Sequence, residues 1–143
     1  MRRISKDAQY QRNRRKELTP KGFCTTCFLN QAVDGRRSCI KCLTHDRKRM
    51  RLRCLRIRNE TLSYYGKGGK LSCCARGCTV INIYMLTLDH IKDNGKQERD
   101  DTGKLGWLFY EWLKKRGYPE GYQTLCANHQ FLKEAKRRRR NWL

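Results

Sequence analysis

The chain has 143 residues, enough for one compact domain or two very small ones. Its 34 lysines and arginines outnumber its 13 aspartates and glutamates, which gives a formal net charge of +21. This excess favours nucleic acid as the partner, because neutralised phosphates release condensed counterions, although charge alone does not choose between DNA and RNA and would also suit an anionic membrane surface. No segment reaches the apolar length of a membrane span and the N-terminus has no signal-peptide pattern, so we expect neither a membrane protein nor a secreted one.

A basic N-terminal arm covers residues 1–22 and contains few apolar residues. Such a segment is either mobile or a helix formed only on a partner. We expect it to bind nucleic acid rather than to serve only as a solvated tail. Its basic residues are Arg2, Arg3, Lys6, Arg12, Arg14, Arg15, Lys16 and Lys21.

Residues 23–62 are predicted to form a zinc-ribbon-like module followed by a basic helix. Cys24-Thr-Thr-Cys27 and Cys39-Ile-Lys-Cys42 are two C-x2-C knuckles separated by eleven residues. Each knuckle presents two thiolates on one tight turn, so the pair completes a closed tetrahedral zinc site with no open position for water. Disulfides among the nine cysteines would need an oxidising compartment. We therefore predict a structural zinc ion here.

The sequence from Leu43 to Arg58 predicts a helix, because Met50, Cys54 and Ile57 recur at the spacing of one helical face. The rest of its surface is densely basic, and like charges this close repel one another unless an anion lies nearby. We expect the apolar stripe, Cys54 included, to pack on the zinc module and the basic side to face a phosphate backbone. The candidate nucleic-acid-binding residues here are Arg47, Arg49, Arg51, Arg53 and Arg56.

A glycine-rich segment at 63–72 is predicted to be a hinge between this module and a second domain at 73–143. It lacks the strand-then-helix context of a phosphate-binding loop. The second domain contains a predicted strand at 83–88, rich in β-branched, aromatic and aliphatic residues, which runs into Asp89-His90. A polar loop is predicted to follow at 92–99.

Three further elements are predicted after this loop. Asp100–Thr102 can cap a helix that ends at Gly117 and carries a core-facing stripe. A short strand is predicted at Tyr122–Cys126, and a final basic helix at 128–140. The residues of the stripe are Leu105, Leu108, Phe109, Trp112 and Leu113.

Residues 73–133 resemble the zinc-containing HNH (His-Me finger) endonucleases that are common in phage and mobile introns. The matching stretches are Leu86-Thr-Leu-Asp-His-Ile91, Phe109-Tyr-Glu-Trp-Leu-Lys-Lys115 and Tyr118-Pro-Glu-Gly-Tyr-Gln-Thr-Leu-Cys-Ala-Asn128, in the family's order. The resemblance implies an α+β fold with a small zinc-stabilised ββα-metal (treble-clef-like) nuclease domain, here preceded by the zinc module and basic helix. It also implies a location in the cytoplasm of a bacterial or phage-infected host cell.

The activity implied by the resemblance is DNA cleavage of homing or phage type, by nicking or double-strand cutting. His90 would be the general base that takes a proton from the attacking water, and Asp89 would bind Mg²⁺ or Mn²⁺ to stabilise the leaving oxygen. Two candidate catalytic residues depart from the family. Glu98 stands where the loop often carries a His, as a substitute ligand or a solvated residue, and Gln130 replaces an Asn or His ligand after the second knuckle.

The family's own zinc site, usually two C-x2-C knuckles, is also altered in this chain. Cys74 and Cys78 would form the first pair, with Cys73 as a rival ligand, and Cys126 and His129 would form the second. A set of three cysteines and one histidine remains suitable for zinc. With the first module, we expect two structural zinc ions.

Double-stranded DNA is the expected partner, with RNA as a possible one, and nothing in the sequence marks an oligomeric interface. The alternative is a non-catalytic DNA- or RNA-binding protein on a degenerate HNH scaffold. Asp89 and His90 discriminate the two, because a binder has no need of them and a nuclease fails without them. The candidate phosphate-binding residues of the final helix are Arg137, Arg138, Arg139 and Arg140.

Overall fold

A computed structural model describes residues 6–140, without the side chains of the two terminal residues of that range. The described part is α+β, as predicted, with five α-helices and two strands. No helix among these residues is long and apolar enough to span a membrane. The elements are α1 Lys6–Leu18, α2 Ile40–Tyr64, a 3₁₀ turn Lys67–Gly69, β1 Leu86–His90, α3 Gly95–Thr102, α4 Trp107–Lys115, β2 Tyr122–Cys126 and α5 Ala127–Arg140.

The chain divides into two compact units, one up to Leu52 and one from Arg53 onward, so the boundary lies within α2. This differs from the hinge predicted at 63–72. The end of that helix is tied into the second unit, because Thr124 donates its hydroxyl to the Leu62 carbonyl at 2.8 Å and its amide to the Tyr65 carbonyl at 2.9 Å.

The first unit is organised around its cysteines. Cys24 and Cys39 are buried, and an antiparallel bridge joins Phe23, just before the first knuckle, to Gln31, which follows it. The predicted N-terminal arm contains α1, and the Arg14 guanidinium lies over the Phe28 ring at 5.6 Å. Part of the arm is therefore a helix with a contact in this unit. Arg2 and Arg3 lie outside the described residues.

The core of the second unit lies between the end of α2, the two strands and the segment that precedes β1. Three leucines and two cysteines form it: Leu62, Leu86, Leu125, Cys73 and Cys126. The strands are antiparallel, with Leu86 opposite Cys126 and His90 opposite Tyr122. The strand predicted at Tyr122–Cys126 is confirmed, and the final helix begins one residue before its predicted start.

Several predicted boundaries in the second unit are wrong. The first strand begins at Leu86 rather than at residue 83, and it includes Asp89 and His90 instead of ending before them. The polar loop predicted at 92–99 contains most of α3, which ends where Gly103 adopts a left-handed conformation. A strongly polar helix has no apolar stripe to reveal it in the sequence, so its contacts with the rest of the unit decide its conformation.

Two predicted apolar stripes are only partly buried. In α2, Ile57 is buried but Met50 is 44% exposed. Around α4, Leu113 is fully buried whereas Leu105 and Leu108 are 63% and 47% exposed. Leu105 precedes α4, which begins at Trp107, so it does not continue the helical periodicity.

Candidate metal centres and catalytic site

The first cysteine cluster joins both predicted knuckles. The Sγ atoms of Cys24, Cys27, Cys39 and Cys42 all lie within 4.8 Å of one another, and Cys27 and Cys39 are 3.8 Å apart. Four sulfurs at the tetrahedral Zn–S bond length of about 2.3 Å would be about 3.8 Å apart. The cluster could therefore hold zinc, as the spacing predicted.

The local backbone favours thiolate at part of this cluster. Burial acts to raise the pKa of the Cys24 thiol, but amides directed at the sulfur, including that of Thr26 at 3.4 Å, lower it to about 5. Burial, reinforced by neighbouring thiols, raises the pKa of Cys42 to about 12. A zinc ion held by the four sulfurs would supply the positive charge that the Cys42 thiol needs to lose its proton.

The second cluster consists of Cys73, Cys78, Cys126 and His129, whose ligand atoms also lie within 4.8 Å of one another. The Sγ atoms of Cys78 and Cys126 are 3.9 Å apart, and Nδ1 of His129 is 3.1 Å from the Cys126 sulfur and 3.7 Å from the Cys73 sulfur. Three sulfurs and one imidazole nitrogen suit a tetrahedral zinc ion. The cluster could hold the second predicted ion.

The prediction of Cys74 as a zinc ligand is wrong, and Cys73 takes its place. The Cys74 thiol instead donates to the Tyr65 carbonyl at 3.1 Å. The backbone sets this choice, because the Cys74 amide bonds to the Thr124 carbonyl at 2.8 Å and the Cys73 amide to the Val80 carbonyl at 3.1 Å. With these hydrogen bonds in place, the Cys73 sulfur lies in the cluster and the Cys74 sulfur faces Tyr65.

A cavity of about 630 Å³ opens beside the end of β1. Asp89, His90, Glu98 and Gln130 all line it, so the four residues predicted for catalysis come together in one place. They come from β1, α3 and α5. Cationic and aromatic side chains complete the wall, among them Arg99, Lys104, Phe109, Tyr110 and Arg137.

His90 is held between a carboxylate and aromatic rings. Its Nε2 lies 2.5 Å from Oε2 of Glu98, and its ring packs edge-on against Tyr122 with the centroids 5.1 Å apart. The other Glu98 oxygen, Oε1, accepts the Tyr122 hydroxyl. Burial, followed by the neighbouring Glu98 carboxylate, raises the pKa of Tyr122, so this hydroxyl keeps its proton and donates.

Asp89 uses one of its two oxygens within the chain. Oδ2 accepts the Gln123 amide at 2.8 Å and the Lys133 ammonium at 2.7 Å. Oδ1 forms no hydrogen bond with a described residue, and it is not among the fully buried unsatisfied atoms. Since Asp89 lines the cavity, Oδ1 is the oxygen through which it could bind a cation.

Lys133 ties the end of β1 to α5. Its Nζ also lies 2.8 Å from Oδ1 of Asp93 and 2.5 Å from the His90 carbonyl. Burial acts to lower the pKa of Lys133, but the hydrogen bonds to Asp89 and Asp93 outweigh it and raise the pKa. The ammonium therefore stays charged and holds the Asp89 carboxylate in place.

Gln130 faces the cavity with its side chain engaged. The Thr87 hydroxyl donates to Oε1 of Gln130, and the same hydroxyl lies 3.2 Å from the Leu125 carbonyl. Among residues 6–140, only the two cysteine clusters gather three or more cysteine, histidine or acidic ligand atoms closely enough for a metal. A cation in the cavity could use Asp89 together with water and substrate oxygens, a pattern that suits Mg²⁺.

The arginines predicted to bind nucleic acid differ in their contacts. Arg47 and Arg51 are exposed on α2, whereas Arg53 lies 2.5 Å from Glu111. On α5, Glu134 is paired at 2.7 Å with Arg137 and at 2.8 Å with Arg138. Of the remaining predicted residues, Arg49 pairs with Asp46, Arg56 and Arg139 are exposed, and the side chain of Arg140 lies outside the described atoms.

Gln123, Tyr122 and Lys133 also contact the site, although the sequence did not predict them as members of it. Gln123 and Tyr122 lie opposite Asp89 and His90 in the sheet, a register that the isolated strand sequences do not specify. Lys133 offers a signal, because it follows Gln130 by three residues on a helix and therefore lies on the same face.

Comparisons with family models, with curated proteins and with solved structures find no match to this chain.

Proposed function

We propose that this chain is a metal-dependent endonuclease of the HNH type that hydrolyses phosphodiester bonds in double-stranded DNA. The observation that carries the proposal is the placement of Asp89 and His90 at the end of one strand, both lining one cavity. The antiparallel pairing of β1 with β2 and the helix α5 that follows β2 directly support a ββα-metal arrangement. The proposed enzyme is of the homing or phage type. The proposal includes both nicking and double-strand cutting.

In this mechanism His90 is the general base and Asp89 is the metal ligand. The imidazole takes a proton from the attacking water, since a neutral histidine can accept a proton near pH 7. Oδ1 of Asp89 would hold the cation, and a bound Mg²⁺ or Mn²⁺ would supply charge stabilisation at the leaving oxygen. Gln123 and Lys133 orient the carboxylate through Oδ2.

The zinc clusters have structural roles in the proposal. Each supplies four protein ligands, which leaves no open position for a reacting water. The second cluster includes Cys126 at the end of β2 and His129 at the start of α5, so its ion would fix the two elements that carry Gln123 and Lys133.

The net charge of +21 supports a polyanionic partner. Helix α2 is 25 residues long and presents exposed arginines. Arg47 and Arg51 are four residues apart and form no ion pair within the described chain, so their guanidinium groups are available for phosphates.

The test is cleavage of supercoiled plasmid by the zinc-loaded chain with Mg²⁺, Mn²⁺ or EDTA. Metal-dependent nicking that His90→Ala and Asp89→Asn both abolish would support the proposal. His45→Ala is the matched control, because the His45 side chain is 75% exposed and lies outside the cavity. Plasmids carrying different inserts guard against the absence of a target sequence. Cleavage that survives His90→Ala would refute the assigned base.

A second candidate is a non-catalytic DNA- or RNA-binding protein on the same scaffold. The Lys133 ammonium already neutralises Asp89, and Thr87 engages the Gln130 oxygen, which supports a site that no longer binds a catalytic metal. If the chain is such a binding protein, it should bind duplexes tightly and should not cleave them in the presence of any of the metals. Competition between DNA and RNA duplexes of one sequence would then identify the preferred polymer.

A further inference from the structure

Each carboxylate oxygen of Glu98 has a protein partner. Oε2 lies 2.5 Å from Nε2 of His90, and Oε1 accepts the hydroxyl of Tyr122. The side chains of Glu98 and His90 are only 17% and 20% exposed. These contacts give Glu98 a role that differs from both expectations for it, a substitute metal ligand or a solvated residue.

Helix α3 fixes Glu98 in this position through its backbone. The Glu98 amide bonds to the Asn94 carbonyl at 3.1 Å, and the Glu98 carbonyl accepts the Thr102 hydroxyl at 2.7 Å. The carboxylate thus approaches His90 from a short helix rather than from a loose loop. Tyr122 reaches it from β2, so two separate elements set its orientation.

The opposite edge of the His90 ring faces Gly95. A Cβ atom added at Gly95 would lie 2.8 Å from Nδ1 and 3.0 Å from Cε1 of the ring. No real side chain fits at those distances without moving the imidazole. The absence of a Cβ at Gly95 lets Nδ1 lie close to the α3 backbone with no side chain in the way, whereas Nε2 faces the Glu98 carboxylate.

We propose that Glu98 is a positioning residue for the hydrolysis, whose carboxylate accepts the Nε2–H of His90 and leaves the Nδ1 lone pair as the base. An ionised carboxylate only accepts hydrogen bonds, so a neutral His90 must carry its proton on Nε2 to bond with it. Partners of this kind commonly set a histidine tautomer. The inference rests on the proposed function and assigns the reacting atom within it.

The proton balance is complete with water as the only co-substrate. Nδ1 takes one proton from the water as its oxygen bonds to phosphorus. The bond from phosphorus to the leaving oxygen breaks, and its electron pair goes to that oxygen, which takes a proton from solvent. The imidazolium then returns its extra proton to solvent, while Glu98 keeps its hydrogen bond to Nε2 throughout.

The tautomer can be measured without any cleavage. The zinc-loaded full chain, labelled with ¹⁵N, contains three histidines, and His90→Ala identifies the ring signals of His90 in two-bond ¹H–¹⁵N correlation spectra. We expect the Nε2–H form in the wild-type chain and in Glu98→Gln, whose amide oxygen still accepts. Glu98→Leu removes the acceptor and should give a mixture of tautomers. Asp101→Asn, at an exposed position of the same helix, is the matched control and should resemble wild type.

Plasmid nicking with Mn²⁺ completes the test. We expect Glu98→Leu to lower kcat about 100-fold with little change in KM, a loss typical of general-base catalysis, and Glu98→Gln to recover part of it. Gly95→Ala should also lower kcat, because the added Cβ would lie 2.8 Å from Nδ1 and must displace the His90 ring from its contact with Glu98. Zinc content and circular dichroism identify any variant that has lost its fold.

Failure of the inference about Glu98 and failure of the proposed function give different results. If the wild-type chain cleaves and Glu98→Leu changes neither the tautomer nor kcat, the inference is wrong and the proposed nuclease stands. An Nδ1–H tautomer in wild type, or loss of Mn²⁺ affinity in Glu98→Leu with an intact tautomer, would also overturn it. If no variant cleaves any plasmid, the proposed function fails, and the assignment of a reacting atom fails with it.

Discussion

Replacing a single cysteine distinguishes the two neighbours Cys73 and Cys74 and measures what zinc contributes to the second unit. We expect Cys73→Ser to lose one of two bound zinc ions and to unfold this unit, whereas Cys74→Ser keeps both ions. The reason is geometric: only the Cys73 sulfur lies with Cys78, Cys126 and His129.

The magnitudes follow from the contacts. The core cluster beside the second cysteine site has only three leucines, and each contributes about 1.5–3 kcal/mol when fully buried. A structural zinc site contributes on the order of 10 kcal/mol, comparable to the whole stability of an ordinary domain, so its loss leaves too little to offset chain entropy. Cys74→Ser replaces a thiol donor to the Tyr65 carbonyl with a hydroxyl donor, a change of about 1 kcal/mol or less.

Zinc stoichiometry by atomic emission and thermal unfolding by circular dichroism form the assay. Cys54→Ser is a further control, because Cys54 lies in neither cluster. We expect wild type, Cys54→Ser and Cys74→Ser each to bind two zinc ions. Retention of both ions by Cys73→Ser, or loss of one by Cys74→Ser, would refute the assignment of ligands.

Three further changes test other contacts. Lys133→Met leaves the buried Asp89 carboxylate without its cation and should cost about 2 kcal/mol in urea unfolding, yet strengthen Mn²⁺ binding measured by electron paramagnetic resonance. Hydrogen bonds from Lys114 and Tyr118 lower the pKa of Glu60, so the stabilisation from this carboxylate is complete above the unfolded pKa of about 4.3 and is lost as the pH falls through the folded pKa. Tyr118→Phe removes one of these hydrogen bonds and should reduce the loss of stability in acid, measured as urea midpoints at pH 6 and pH 3.5. Arg51→Gln should reduce the steepness of the plot of log association constant against log salt concentration for duplex DNA by about 1. An unchanged slope would exclude contact between Arg51 and a phosphate.

Local chemistry in the sequence determined a substantial part of this protein. Thiolates separated by two residues share one turn, so Cys24 and Cys27, and likewise Cys39 and Cys42, could be paired without knowledge of the fold. The strand at Tyr122–Cys126 and the helix that follows were also predictable, because apolar and β-forming residues give way there to a helical pattern. His90 became a candidate base through the resemblance of its flanking residues to the HNH endonucleases.

Only the tertiary structure decided which side chains meet. Antiparallel register places Gln123 beside Asp89, and a shift of one residue would turn each side chain to the other face. The conformation of α3 brings Glu98 to His90, although no apolar periodicity marks that helix. The sequence contains the donors and acceptors, but pairing across strands and helices depends on long-range packing that local propensity does not encode.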